Sequence, residues 1–273
     1  MVNMNRQNKI DSTKRSPLKN KPLRYAGKSL DEQIDKLFTD NVELYLLISM
    51  FSIAIAGYEW MRFYINNPPY PKTMTFLAGL VILFSFFKVK KILKQVKLLK
   101  LGRDGERVVG EHLDVLREKG YKIFHDIVGK QFNIDHVIIS NKGIFLIETK
   151  TYSKPNDKDA QIHFNGREIT VDGLKLNDNP IDQSIASANW LRNLLKESTG
   201  KEFQIKPVVV FPGWFIETTE EGKKSNCWVL NPKALPQYIE NEKISITIED
   251  MSLASYHLSR YVRAMEEEKS KTP

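Results

Sequence analysis

Asn133-Ile-Asp135-His-Val-Ile-Ile-Ser-Asn141-Lys-Gly143-Ile-Phe-Leu-Ile-Glu148-Thr-Lys150 is the stretch whose reading decides the fold. Two β-branched, apolar runs flank Asn141-Lys142-Gly143, the composition of a β-hairpin turn. With Asn141 and Lys142 at the centre of that turn, Asp135 lies directly opposite Glu148, and Asn133 opposite Lys150. Side chains alternate along a strand, so Glu148 and Lys150 also share a face. Two carboxylates and a lysine therefore converge on one patch. Like charges opposed across a sheet repel, so the patch needs a counterion. Lys150 supplies one in a plain Asp–Lys–Glu salt bridge. A divalent cation such as Mg²⁺, which takes one or two carboxylates plus phosphate oxygens, would do so more fully.

Further signals stand on either side. Gly102-Arg-Asp-Gly105-Glu106 opens a helical segment upstream, and Asn179-Pro180-Ile-Asp-Gln183 opens another downstream. Taken with Ile134-Asp135-His136 and Gly143-Ile-Phe-Leu-Ile-Glu148-Thr-Lys150, the set resembles the NERD (nuclease-related) domain of the PD-(D/E)xK nuclease superfamily. The resemblance covers roughly residues 100–200, with a looser continuation to about 240. It implies an α/β, restriction-endonuclease-like domain with a mixed central sheet flanked by helices. It also implies roles: Asp135, Glu148 and Glu106 as ligands of Mg²⁺ or Mn²⁺, Lys150 as the active-site lysine, and Gln183 as the polar residue of the following helix. All five belong to the expected catalytic set, and DNA, or else RNA, is the expected substrate. Two of these residues have ordinary readings as well. Glu106 in a first helical turn is what the helix dipole favours, and Gln183 fits an exposed helix position. A non-catalytic scaffold binding nucleic acid or protein through the same fold is the rival class.

Composition bounds the rest. The net charge of +8 and isoelectric point near 9.3 suggest nucleic acid or anionic lipid as a partner. Cys227 stands alone, so no internal disulfide forms, which fits a reducing compartment. His112, His125, His136, His163 and His257 show no zinc-site spacing, and His136 points to the face opposite Asp135. There is no Ser/His/Asp pattern, P-loop or GxGxxG, so a glycine loop cradling phosphate is not expected.

The front of the chain is different. Residues 1–40 read as a basic, largely disordered tail, helical from Ser29 where Leu30, Ile34, Leu37 and Phe38 recur. No apolar core of a cleavable signal peptide lies near the start. Residues 41–100 read as a two-helix membrane hairpin, from uncharged runs at Leu44–Tyr58 and Thr73–Phe87 around the breaker Asn66-Asn-Pro-Pro-Tyr-Pro-Lys72. Each run falls short of the ~20 residues of a full span until its aromatic and snorkelling flanks are added. Tyr58, Trp60, Tyr64 and Tyr70 form an interfacial belt toward the loop. A water-soluble hairpin buried against the domain is the alternative. Lys88, Lys90, Lys91, Lys94, Lys97, Lys100 and Arg103 place both ends on the cytoplasmic side of a multi-pass cell-membrane protein. The stripe Val89, Ile92, Leu93, Val96 and Leu99 then runs along the membrane surface, with the lysines on anionic headgroups. Residues 101–240 make the nuclease-like domain and 241–273 a C-terminal helical segment at its surface. The family's distribution and a chain rich in Lys and Asn suggest a bacterial source.

Overall fold

The computed structural model describes residues 23–65, 70–129, 132–154, 161–171, 173–176, 179–269 and 271. Residues 1–22 and 66–69 lie outside them, with most of the basic tail and part of the breaker expected there. A five-stranded mixed sheet forms the centre. Its strands are β1 (Lys122–Val128), β2 (Asn133–Ser140), β3 (Gly143–Thr149), β7 (Ile205–Val210) and β9 (Trp228–Leu230), side by side in that order. The first three are antiparallel neighbours, while β3, β7 and β9 run parallel. The hairpin register is the expected one, from Ser140 opposite Gly143 to His136 opposite Ile147. Near-continuous Val/Ile runs suit strands covered on both faces.

Helices supply both covers. Val109 and Leu113 of the long helix α3 (Pro71–Asp114) pack on one face with α6 (Leu235–Asn241), which follows the short α5 (Glu220–Lys223). On the other face lie α4 (Pro180–Thr199) and α7 (Ile248–Lys269). α7 is an outer layer that packs on the sheet through one face, with Ala254, Leu258 and Val262 buried. α4 starts where its sequence says. Asn179 caps it by accepting from Ile181 N at 3.2 Å, Pro180 follows, and Gly200 ends it at φ 72°. A second sheet, β6 (Leu174–Lys175), β5 (Ile169–Val171), β4 (Gln161–Phe164) and β8 (Phe215–Thr218), packs beside the first through Phe164, Phe211 and Trp214.

The front of the described chain forms two long antiparallel helices. α1 (Lys28–Leu37) passes through a π turn at Phe38–Val42 into α2 (Glu43–Tyr64), which packs against α3. Tyr45 meets Phe84 edge-on and Trp60 Nε1 donates to Thr75 Oγ1 at 2.9 Å. α3 runs unbroken for 44 residues, about 66 Å. Two expectations change with it. Gly102–Glu106 lies inside the helix instead of opening one, so a role for Glu106 at a helix start falls away. Val89, Ile92, Val96 and Leu99 turn toward α1 and its π turn, with Val96 only 3% exposed. Their stripe is a helix–helix contact, and of that set only Leu93 is exposed, at 47%.

The alternative of a hairpin buried against the domain does not describe α2 and the first half of α3. Leu46, Phe51, Ile53, Phe86 and Phe87 are all more than half exposed. One helical stretch among the described residues, Lys28–Tyr64, is long and apolar enough to cross a membrane by length and composition.

Candidate active site at the open end of the hairpin

β2 and β3 part company after the pair His136–Ile147, and the next residues on each strand are Asp135 and Glu148. Asp135 Oδ2 accepts from Thr149 N at 2.6 Å, which ties the side chain across the gap. The main chain beyond is held to β7 by Lys150 N donating to Val210 O at 2.9 Å. Lys150 Nζ then reaches two partners, Glu148 Oε1 at 2.9 Å and Gln183 Oε1 at 2.9 Å. Gln183 is placed there by the capped start of α4. Glu148 is 3% exposed, and its second oxygen, Oε2, is buried with no hydrogen-bond partner.

α3 brings the third carboxylate. The helix crosses so close to the end of β3 that a Cβ at position 105 would lie 1.8 Å from Thr151 Oγ1 and 2.9 Å from Thr151 Cβ. Gly105 permits that crossing, and Glu106, 9% exposed, is thereby buried beside the acidic patch.

The electrostatics follow from crowding charge into low dielectric. Burial, then the charges of Asp126 and Glu148, push the Glu106 carboxyl up to about 8. A backbone hydrogen bond from Gly27 and the charge of Lys150 pull the other way. Asp135 is held well above the ordinary carboxylate range by burial and by Glu148 and Glu106. Burial also raises Glu148, against the pull of Lys150. Lys150 itself is raised, because the charge of Glu148 and its hydrogen bond outweigh desolvation. Without a cation the cluster favours holding protons.

Among the described residues, no group of three or more His, Cys, Asp or Glu side chains stands ready to hold a metal ion. The donor set nevertheless fits a hard divalent cation in part. Glu148 Oε2 is an unpartnered buried oxygen, and Asp135 and Glu106 are carboxylates electrostatically linked to it. Glu106, Asp135, Glu148, Lys150 and Gln183 thus come together at one end of the sheet.

Two neighbours of this cluster escaped sequence reasoning. Asp126, 1% exposed, takes φ 50° inside β1, and Arg24 is buried against it with Nη2 2.6 Å from Oδ2. Nothing in the polar tail around Arg24 signals a partner so far along the chain. His136, by contrast, is the packed histidine its alternation allows. Its Nδ1 lies 2.9 Å from His125 Nδ1, and burial drives it well below the usual histidine range.

Residues 101–212 match the sequence model of NERD, the nuclease-related domain. This supports a nuclease-related domain over that stretch and agrees with the mixed, helix-flanked sheet. An uncharacterized protein of Bacillus anthracis is 36% identical over 56 residues, 19% of this chain. That match spans 26% of the relative's length. No solved structure matches the chain.

Proposed function

We propose that the chain is a membrane-anchored, metal-dependent nuclease that hydrolyses phosphodiester bonds in DNA on the cytoplasmic side. The observation that carries the reading is the orphaned, buried Oε2 of Glu148 beside Asp135 and the twice-bonded Lys150. Asp135 and Glu148, with Glu106, would hold Mg²⁺ or Mn²⁺. When bound, such an ion polarises a phosphate and makes bound water more acidic. The protein's own groups do the rest. Lys150 carries its charge to the substrate phosphate and to the attacking water. Gln183 fixes the direction of the Lys150 ammonium, and the Thr149 amide fixes the Asp135 carboxylate.

Anchoring is supported by the unburied apolar faces of α2 and α3 and by Tyr58, Trp60, Tyr64 and Tyr70 near the end of α2 and the start of α3. α1 and the last turns of α3 both lie at the domain end of the helix pair, so two crossings leave both on one side. The lysines of α3 then face anionic headgroups from that side.

The closed Lys150–Glu148 ion pair favours a second reading, a tethered module that binds nucleic acid or protein without cutting. Cleavage of a mixed DNA and RNA panel by the full chain in detergent micelles, with and without Mg²⁺ or Mn²⁺, separates the two. Metal-dependent cleavage that Glu148→Ala removes supports the nuclease. Binding of DNA by folded protein that cuts nothing supports the module.

A further inference from the structure

The segment Leu23–Ser29 comes from the far end of the chain and lies across α3 at the turn that carries Glu106. Its fit is close at two points. A Cβ at Gly27, whose φ is 78°, would sit 3.0 Å from Arg103 Cγ and 3.3 Å from Arg103 O. Ala26 Cβ lies only 2.8 Å from where a Cβ on Gly110 would be. Arg24, 4% exposed, is the clamp. It donates through Nε to Asp126 Oδ2 at 2.7 Å and through Nη2 to Ser29 Oγ at 3.0 Å, and it pairs with Glu266 of α7. Ser29 N adds a second donor to Asp126 Oδ2 at 2.7 Å.

The guanidinium also balances the site. Glu106 lies in electrostatic reach of Asp126 and Glu148, and Asp135 of Glu148 and Glu106. Lys150 pairs with Glu148 and Arg24 with Asp126, and Arg24 is shared with Glu266 and Glu32. The arm continues without a break into α1 and α2, the helical stretch apolar enough to cross a membrane.

We propose that this arm is a wall of the acidic site, with Arg24 as its positioning residue, and that it links Glu106 mechanically to the membrane helices. Arg24 and Gly27 lie far outside the stretch that matches the nuclease-related domain. The cation part of the test rests on the metal-site reading above; the arm itself does not.

Hydrogen exchange and Mn²⁺ binding by electron paramagnetic resonance, both on the full chain in micelles, test this. In metal-free protein the amides of residues 24–34 should exchange as slowly as those of β2 and β3. Glu106→Ala should speed the arm at least tenfold and leave the β2–β3 core unchanged. Arg24→Gln should weaken Mn²⁺ binding about tenfold, because it frees the arm whose Gly27 amide holds Glu106, and Arg24→Lys should recover part of it. Should Arg24→Gln fail to fold around an unpaired Asp126, Arg24→Gln/Asp126→Asn removes that buried charge and should still bind weakly. Arm exchange that ignores Glu106→Ala, or folded Arg24 variants binding Mn²⁺ within twofold of the unaltered chain, would overturn the proposal. If the unaltered chain binds no Mn²⁺, the metal reading of the site falls and the exchange comparison alone decides the arm.

Discussion

The end of the β2–β3 hairpin and the lysine-rich middle of α3 both concentrate charge, and they use it in opposite ways. At the hairpin the charged groups are buried or half-buried, crowded together and shifted. Glu106 is pushed to about 8, and Asp135 and Glu148 are raised with it. Lys88, Lys90, Lys91, Lys94, Lys97 and Lys100 stay exposed on α3, with no salt bridge among the described residues. In water each added charge costs little and acts at a distance. In the packed end of a sheet each must be compensated, and that need is what recruits protons, an arginine or a metal. Density of charge alone therefore says little, whereas charge out of water points to chemistry.

That contrast is broken most directly by substitution at the hairpin end. Glu148→Ala and Lys150→Ala should each lower cleavage by at least about 10³-fold, a loss of roughly 4 kcal/mol of transition-state stabilisation. Chelation by EDTA should do the same to the unaltered chain. Near-UV circular dichroism should be unchanged in both variants. Retained activity in either would remove the residue from the catalytic set.

The same burial should be visible without substrate. Glu106 has a folded pKa above its unfolded value, so its protonated form stabilises the fold. That contribution is complete below about 4.5 and is lost as pH climbs through about 8. Metal-free protein should therefore lose stability between pH 5 and 7.5, by about 3 kcal/mol from this group at 1.36 kcal/mol per unit. Asp135 and Glu148, raised in the same direction, steepen the fall. Glu106→Gln should flatten it in denaturant titrations, and saturating Mg²⁺ should offset it by replacing the protons. A metal-free chain equally stable at both pH values would contradict the assigned burial.

Packing at the site gives a smaller effect. Gly105→Ala drives a methyl group into Thr151, and overpacking of this kind costs about 1–3 kcal/mol. Thr151→Ala in the same chain should return part of the loss, because the first atom struck is its hydroxyl. A Gly105→Ala chain with unaltered melting would mean that α3 and β3 do not cross so closely.

The hairpin half of the contrast was largely legible in the sequence. Alternation and the Asn-Lys-Gly turn are local signals, and they placed Asp135, Glu148 and Lys150 together with the observed register. Asn179-Pro180 likewise set the start of α4, and hence Gln183. Glu106 lies near them, but on a mid-helix turn, because glycines at 102 and 105 read as a helix start when they serve close packing. Arg24 and Asp126 were out of reach. One sits in a polar tail and the other takes a left-handed conformation within a strand, and only tertiary contact brings them together. The apolar stripe of α3 was legible as a stripe, yet periodicity does not say whether lipid or another helix covers it.

The lysines of α3 complete the comparison with the mildest effect. Replacing Lys90, Lys91, Lys94 and Lys97 by Gln should leave cleavage of a short DNA in micelles within about threefold, since none of them is paired with the acidic cluster. In vesicles, the same change should reduce enrichment of anionic lipid around the protein, each lysine contributing about 1 kcal/mol near a charged surface. That difference should shrink as salt rises, because screening acts on exposed charge and spares buried pairs. A large loss of cleavage in micelles, also relieved by salt, would instead assign these lysines to steering the nucleic acid. The two halves of the molecule would then share one task, with exposed charge gathering the substrate that buried charge attacks.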